Sequence, residues 1–300
     1  MARTDSRWVR GAVSVAVCTA LMWVGAVAAH DASVPAKAQA SKTQQLTDVS
    51  AMRLQKVAAQ VYFVQGESAL GSTANRNFIS NAGFVITNDS VVVIDALGSP
   101  ALAEELVKQI KRVTSKPISH VLLTHYHADH IYGLQVIESL GAKIVANAQA
   151  REYINSETAH LRLDASRKDL APWVNDSTRM VAASQWLTAD ISQLTVGGVD
   201  FVLQHMGPAH TPEDTAVFLP QSGVLFIGDV VFRIRIPYVG QADSRHWIAA
   251  LDELLKLPVK IMVPGHGPAS DSPRKDMQLT RDYLRFLRDF PIHHQFFVMF

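Results

Sequence analysis

The chain has 300 residues, 48% of them hydrophobic, and a formal net charge of +1 at pH 7. This length and composition suffice for one large folded core or two smaller ones. The lysine and arginine residues are scattered rather than clustered, which excludes a typical nucleic-acid-binding face. Acidic and basic tails are also absent, so the overall charge says little about partners.

The first 29 residues have the pattern of a secretory signal peptide. Three arginines precede an apolar run from Gly11 to Ala29, and small polar residues follow. We expect residues 1–29 to direct export to the periplasm and residues 30–53 to form a flexible linker. The alternative is a retained segment that anchors the protein in a membrane. Cys18, the single cysteine, lies in the apolar run, so the predicted mature chain has no thiolate metal ligand.

Strands and helices alternate in the first half of the predicted domain, which spans residues 54–290. The predicted strands are 60–65, 78–87, 90–97, 120–124 and 142–147, and the predicted helices are 100–113 and 131–140. The first helix is the clearest, because Leu102, Leu106, Ile110 and Val113 recur at helical spacing.

The second half repeats this alternation. A helix and a polar crossover are expected over 148–171, several strands over 195–228, a helix at 244–257, a strand and loop at 259–267, and a last helix at 273–290. About a dozen strands and five helices in two similar halves predict a layered α/β protein, with two packed sheets and helices outside. An aromatic tail follows at 291–300.

Metal-binding residues are concentrated where predicted strands end. The stretch THYHADH, from Thr124 to His130, places three histidines and an aspartate after an apolar strand. Such groups are costly to bury unpaired. The metal-capable residues at strand ends are His125, His127, Asp129, His130, His210, Asp229 and His266. Nitrogen and oxygen donors without thiolate suit Zn²⁺ best, with Fe²⁺ or Mn²⁺ possible, and seven donors favour two ions over one.

The ordered set of THYHADH, His210, Asp229 and His266 resembles the metallo-β-lactamase superfamily over nearly all of the predicted domain. The resemblance implies an αββα four-layer sandwich with two metals at one edge, between the sheets. It also implies a first metal held by His125, His127 and His210, a second held by Asp129, His130 and His266, and a bridge formed by Asp229.

The resemblance also implies a hydrolase with two Zn²⁺ ions per chain that acts on a small-molecule substrate. Two cations lower the pKa of a bridging water, and the resulting hydroxide attacks a carbonyl-type bond in a thioester, ester or amide. Asp129 is the expected catalytic residue, because it is placed to orient the nucleophile as well as to bind metal.

The branch of the family is narrowed by two further comparisons. The stretch GPAHTPEDTAVFLPQSGVLFIGD is similar to class B1 β-lactamases, which carry cysteine where this chain has Asp229 and usually lysine where it has Phe232. Aspartate at the bridge is instead the pattern of glyoxalase II. The signal peptide together with ANRNFISNAGFVIT and FRIRIPYVGQAD looks most like exported metallohydrolases associated with quinoprotein relay systems and thiosulfate oxidation.

Three alternatives to this hydrolase stay open. A persulfide dioxygenase would use one Fe²⁺ bound by His125, His210 and Asp229. A weak metallo-β-lactamase would use the same dinuclear centre on a lactam. A metal-containing accessory protein of a periplasmic redox system would bind the ions without turnover.

Substrate contacts are expected from three residues near the motifs. Arg233 and Arg235 either face an anionic substrate group or point to solvent, and the ring of Tyr126 is expected to flank the pocket. The small-residue loop from Gly66 to Ala74 is either a mobile lip over the metals or a plain connection. The tail at 291–300 either packs on the domain or mediates association, and the sequence indicates no particular oligomeric state.

Overall fold

Two β-sheets pack against each other in the computed structural model, which describes residues 52–240 and 242–289. The predicted signal peptide, nearly all of the linker and the aromatic tail lie outside the described residues. Within the described ranges, no helix combines the length and the apolar character that crossing a membrane requires.

The first sheet contains seven strands that are adjacent in chain order. They are β1 (Leu54–Ala58), β2 (Val61–Val64), β3 (Ala82–Ile86), β4 (Val91–Ile94), β5 (Ile118–Leu122), β6 (Lys143–Asn147) and β7 (Gln185–Leu187). Pairing is antiparallel from β1 to β4 and parallel from β4 to β7. The helices of this half are α1 (Pro100–Val113), α2 (Ala128–Ile131), α3 (Leu134–Ser139), α4 (Ala150–Ile154) and α5 (Glu157–Asp169).

The second sheet contains five strands in the order β12-β11-β10-β9-β8. They are β8 (Ile191–Val196), β9 (Val199–His205), β10 (Thr215–Leu219), β11 (Val224–Gly228) and β12 (Ile261–Pro264). The helix α6 (Ser244–Leu254) lies between β11 and β12 in the chain, and α7 (Pro273–Asp289) follows β12. Only β11 and β12 pair in parallel, because α6 connects them.

Three buried clusters hold these layers together. Phe63 and Leu122 of the first sheet meet Phe226 and Val263 of the second in the cluster between the sheets. A second cluster joins α1 and α3 to the outer face of the first sheet, and a third joins α6 and α7 to the second sheet. Each fully buried leucine or phenylalanine contributes about 1.5–3 kcal/mol. The predicted αββα sandwich is therefore confirmed.

The helix predicted over 131–140 is wrong in its detail, because the chain forms two short helices, α2 and α3, with a break at Gly133. The Gly133 N–H donates to the carbonyl of Leu97 at 3.2 Å instead of continuing one long helix. A Cβ at Gly133 would also collide with the carbonyl oxygen of Ala96. Sequence reasoning also missed β1 and β7, which are short strands at the two edges of the first sheet.

Candidate metal centre

Seven metal-capable side chains come together just beyond the ends of β5, β11 and β12. His125, His127, Asp129 and His130 follow β5, Asp229 follows β11, and His266 follows β12. His210 lies in the loop between β9 and β10. Their donor atoms form three overlapping groups in which all atoms lie within 4.8 Å of one another, namely His125–His127–His210, His125–His130–Asp229 and Asp129–His130–His266.

The first group has the spacing of ligands on one small cation. Nε2 of His210 lies 3.0 Å from Nδ1 of His127. The ring centre of His125 lies 4.8 Å from that of His127 and 5.2 Å from that of His210. Two donors on one tetrahedral zinc lie roughly 3.4 Å apart, since each bond is about 2.0–2.1 Å long. The group therefore fits a single ion with three nitrogen donors.

The second group is built around carboxylates. Oδ2 of Asp129 lies 3.2 Å from Nε2 of His266 and 3.6 Å from Nε2 of His130. The two oxygens of Asp229 lie between the groups: Oδ1 is 3.4 Å from Nε2 of His130, and Oδ2 is 3.6 Å from Nε2 of His210. This placement suits a carboxylate shared by two ions.

Outer hydrogen bonds orient the rings of His125, His210 and His266. Nδ1–H of His210 donates to the carbonyl of Tyr238 at 3.0 Å, and Nδ1–H of His266 donates to the carbonyl of Ile79 at 2.6 Å. Nδ1 of His125 lies 3.1 Å from the Thr124 hydroxyl. A hydrogen-bond partner at Nδ1 leaves the lone pair of Nε2 free to coordinate a metal and holds the ring in place. The rings are thus prepared to bind a cation at the centre.

Asp95 is a site residue that sequence reasoning missed. It follows β4 directly, and its Oδ2 accepts from Nδ1–H of His130 at 2.9 Å and from the hydroxyl of Thr124 at 2.8 Å. Its Oδ1 accepts from the Thr124 N–H at 2.9 Å. The signal that identified the other residues, a polar residue at the end of an apolar strand, is also present in VVVIDAL.

The backbone around Asp229 requires glycine at two positions. Gly228 has φ +54°, a left-handed conformation that side chains other than glycine rarely adopt. A Cβ at Gly265 would collide with Oδ1 of Asp229. Both glycines therefore allow β11 and β12 to end close enough for Asp229 to reach the histidines.

The loop from Ile79 to Asn81 connects the segment around Asp129 with the loop that carries His266. The Ser80 hydroxyl donates to the backbone carbonyl of Asp129 at 2.5 Å. The side-chain amide of Asn81 donates to the carbonyls of Pro264 and Gly267 at 2.7 and 2.8 Å. These contacts position the loop that carries His266, although they are far from it in sequence.

Three unpartnered atoms indicate which kind of group this centre would hold. Nε2 of His125, Nε2 of His130 and Oδ1 of Asp229 are buried and have no hydrogen-bond partner. Buried polar atoms are normally satisfied, so three orphans in one cluster need an explanation. A cation would satisfy all three, and the nitrogen and oxygen donor set matches zinc, iron or manganese.

The pKa values divide the cluster into neutral and charged members. Burial lowers the pKa of His127 to about 4 and holds that of His125 well below its usual value. Burial acts the same way on His266, but the carboxylates of Asp229 and Asp129 outweigh it and raise its pKa to about 10. Burial of Asp229 is likewise outweighed by His266 and His130, which hold its pKa well below the usual range. Cations would replace the protons shared here.

A cavity of about 660 Å³ opens beside His127. Its walls include Tyr153 and Arg151 of α4 and Thr211 and Glu213 of the loop that carries His210. Pockets for small molecules usually measure about 300–1,000 Å³. The cavity therefore offers room for a small-molecule substrate next to the first donor group.

The predicted substrate residues have different surroundings. Tyr126 corrects one expectation: its ring is fully buried against Trp186, and its hydroxyl donates to the carbonyl of Val181, so it does not line the cavity. Arg233 is held by Asp276, with Nε 2.8 Å from Oδ2. Nη1 of Arg235 is buried without a partner.

Phe232 and the loop from Gly66 to Ala74 were also singled out in the sequence. Phe232 is buried, and its ring lies 5.8 Å from that of His210. The loop from Gly66 to Ala74 is tied down by the indole N–H of Trp173, which donates to the carbonyl of Thr73 at 2.8 Å. Leu70 at its tip is exposed.

Known proteins share this fold and part of the sequence. Metallo-beta-lactamase type 2 from Bacillus cereus is 24% identical over 207 residues, covering 67% of this chain and 72% of the relative. Linear primary-alkylsulfatase from Pseudomonas sp. (strain ATCC 19151) is 21% identical over 235 residues, covering 67% of this chain. The match spans only 44% of the alkylsulfatase, less than half of its length.

Solved structures agree with the sequence relatives. A metallo-beta-lactamase from Pontibacter korlensis superposes with a TM-score of 0.62 at 23% identity, covering 78% of this chain and 99% of that one. A stereoselective inverting sec-alkylsulfatase from Pseudomonas sp. superposes with a TM-score of 0.63 at 21% identity, covering 79% of this chain and 42% of that one. These structures show a shared fold.

A family model extends this likeness to the motifs themselves. The model described as "Metallo-beta-lactamase superfamily" matches residues 75–266, more than half of the chain, and the match includes all seven clustered donors. The predicted superfamily is confirmed, whereas the narrower quinoprotein-relay group stays a prediction. The chain belongs to the metallo-beta-lactamase superfamily, and it is a metal-dependent hydrolase.

Proposed function

We propose that this protein is a dinuclear zinc hydrolase that cleaves a carbonyl-type bond (thioester, ester or amide) in a small molecule. The observation that carries the proposal is the convergence of seven donors with three buried atoms left unpartnered, Nε2 of His125, Nε2 of His130 and Oδ1 of Asp229. The adjacent cavity supports a small-molecule substrate.

The roles of the individual residues follow from their positions. His125, His127 and His210 would hold one ion, Asp129, His130 and His266 the other, and Asp229 would bridge them. Divalent ions bound there lower the pKa of water and polarise the scissile bond. Asp129 is ionised near neutral pH, because His130 and His266 outweigh its burial and lower its pKa. Its carboxylate can therefore accept a hydrogen bond from the attacking water and orient it.

Sulfate esters are a second candidate substrate class. The specific observation is the likeness to two alkylsulfatases, one by sequence and one by structure. Aspartate at position 229 and phenylalanine at position 232, where class B1 β-lactamases carry cysteine and lysine, place β-lactams behind both classes. A single panel of substrates tests the carbonyl compounds, the sulfate esters and the β-lactams together.

Export is a separate part of the proposal. The basic start, apolar run and small residues of the first 29 positions support cleavage near Ala29 and a periplasmic mature protein. The export pattern and the motifs quoted above support membership of the quinoprotein-relay group. Intact mass of the protein from a periplasmic fraction measures the cleavage directly, and an uncleaved N-terminus would contradict it.

Metal content is the first test of the proposed function. Mature protein purified without a polyhistidine tag should contain about two zinc ions per chain by plasma mass spectrometry. It should also hydrolyse at least one member of a panel of thioesters, esters, amides, sulfate esters and a chromogenic cephalosporin. About one iron per chain, with oxygen uptake on a persulfide, would instead establish the dioxygenase. Full metal loading without turnover would favour the accessory protein.

The variant His127→Ala tests the ligand assignment. Because metal binding and folding are coupled, it should lower both the metal content and the melting temperature. His160→Ala is the matched control, since His160 is exposed on α5 and outside the donor cluster. Unchanged metal content in His127→Ala would refute the assignment.

A further inference from the structure

An exposed apolar strip, residues 234–239, lies beside the candidate metal centre. Ile234 is 84% exposed, Ile236 75%, Tyr238 55% and Val239 36%. In the part of the chain that the structure describes, eleven large apolar side chains are exposed, and four of them lie in this strip. Single exposed apolar residues are normal, whereas a contiguous group indicates a binding surface.

Both ends of the strip are attached close to the donor cluster. Before it, Nη1 of Arg233 donates to the carbonyls of Pro268 and Ala269 at 2.6 Å, just after His266. Within it, the carbonyl of Tyr238 accepts from His210, and the two rings lie 5.9 Å apart. Two residues of chain span at most about 7 Å, so Ile236 lies within that distance of Tyr238. The strip therefore borders the metal centre.

The conformation of Ile234 favours a role for its exposure. Its φ is +59°, which is unusual for any residue but glycine and especially for a β-branched one. The side chain of Arg233, the residue before it, is anchored by Asp276 and by two backbone carbonyls. A disfavoured conformation that exposes an apolar side chain instead of burying it is the kind of feature found at binding sites.

Arg235 supplies a cation between the two isoleucines. Its Nη1 is buried without a hydrogen-bond partner, and no described residue forms an ion pair with it. Arg233, two residues earlier, differs because Asp276 and two carbonyls satisfy it. The side chain as a whole is half-buried, and among the described residues nothing compensates its charge. An anionic group of a ligand would pair with this guanidinium by a charge-assisted hydrogen bond.

We infer that residues 234–239 bind the apolar chain of an amphiphilic substrate whose anionic group pairs with Arg235, with its scissile bond at the metal centre. The inference rests on the proposed function for the position of that bond. It narrows the substrate to anionic amphiphiles, because an apolar strip with one unpaired cation complements a chain that carries one negative charge.

Chain-length dependence of binding tests the apolar part. Butanoate and decanoate, both below micelle-forming concentrations, are titrated calorimetrically into the metal-loaded protein. Each fully buried methylene strengthens binding about fourfold, so partial burial should make decanoate bind at least about tenfold more tightly than butanoate. The double variant Ile234→Asn/Ile236→Ser should remove most of this difference, and asparagine tolerates the left-handed conformation at position 234.

The matched control is Val113→Ser, an exposed apolar residue at the end of α1. The N-terminus of α1 follows β4 at the metal edge, and Val113 is the last residue of this 14-residue helix, so the length of the helix separates Val113 from the site. This variant should keep the chain-length effect. Equal affinity for both fatty acids, or a difference that persists in the double variant, would overturn the inference.

The ionic part is tested with Arg235→Gln. This variant should bind decanoate at least about threefold more weakly and decyl maltoside, which has the same chain and a neutral head group, as the wild type does. Equal decanoate affinity in Arg235→Gln and the wild type would contradict the pairing of the anionic group with Arg235 and overturn the inference of an anionic substrate. Binding to phosphatidylglycerol vesicles without binding of monomeric decanoate would indicate a membrane surface and overturn the substrate assignment. Failed amphiphile binding with normal zinc content would leave the proposed function intact, whereas missing zinc would refute that function first.

Discussion

Individual carboxylates decide how the histidines of this centre are presented. Asp95 accepts hydrogen bonds from His130 and from both the backbone and the hydroxyl of Thr124. Asp229 lies between the two donor groups, with oxygens 3.4 Å from Nε2 of His130 and 3.6 Å from Nε2 of His210. One residue therefore orients a ring from outside, and the other faces the ions directly. Their substitution should have different consequences.

Asp95→Asn should weaken binding of the second metal about 10–100-fold, the usual effect of removing a partner of a metal-binding histidine. The amide removes the charge and one of the oxygens that accept from His130 and Thr124. Competition with a chromophoric chelator measures the change. Asp200→Asn, on β9 and bonded to the Thr195 hydroxyl, is the control. Equal affinities in the two variants would show that Asp95 does not act on the metal.

Asp229→Ala should reduce occupancy of the second metal more than that of the first. The first group keeps three histidines without Asp229, whereas the second keeps Asp129, His130 and His266 but loses a carboxylate beside two of them. Zinc titration followed by plasma mass spectrometry gives the two stoichiometries. Equal loss of both ions would argue against the bridging position.

The residues of the metal centre lie on the segments that follow the strands, not on the strands themselves. β4 and β5 in one sheet and β11 and β12 in the other end beside the centre, so each short loop carries one part of it. Asn81, in the loop before β3, links these parts by accepting from Gly66 N–H and donating to Pro264 and Gly267. It therefore stabilises the junction between the sheets.

Asn81→Ala should lower the free energy of unfolding by about 2–4 kcal/mol, because it leaves a buried N–H and two carbonyls without their partner. Urea denaturation measures this loss. Asn155→Ala is the control, since its amide makes one hydrogen bond, to Arg151, at an exposed helix end. A difference below about 0.5 kcal/mol between the two variants would contradict the linking role.

The whole molecule couples metal, proton and fold at one edge of the sandwich. In the metal-free protein, the pKa of His266 rises to about 10 from an ordinary 6.5. The folded pKa lies above the unfolded one, so this pairing stabilises the fold fully below about pH 6.5 and is lost as pH rises through about 10. Metal that occupies the same donors removes the dependence, because the proton has already left.

The metal-free protein should therefore lose stability between pH 7 and pH 10 more steeply than the zinc-loaded protein. Urea midpoints of both forms across this range give the comparison, and the loaded form corrects for lysine and tyrosine titration elsewhere. Zinc addition at pH 7.5 should also release protons, visible as a binding enthalpy that changes with the ionisation enthalpy of the buffer. Parallel pH curves without proton release would contradict this coupling.

The sequence by itself determined the donor set, its order and the layered fold, because strand ends and helical spacing are local patterns. The amphipathic α1 was predicted with its observed bounds for that reason. The family resemblance implied which donors meet, but the local pattern did not, since His127 and His210 lie 3.0 Å apart at their nitrogens and 83 residues apart in the chain. The tertiary structure alone decided that Asp95 and Asn81 support the site and that Tyr126 is buried away from it. The physical reason is that these contacts depend on which strands are neighbours in space, and no local pattern along the chain encodes that.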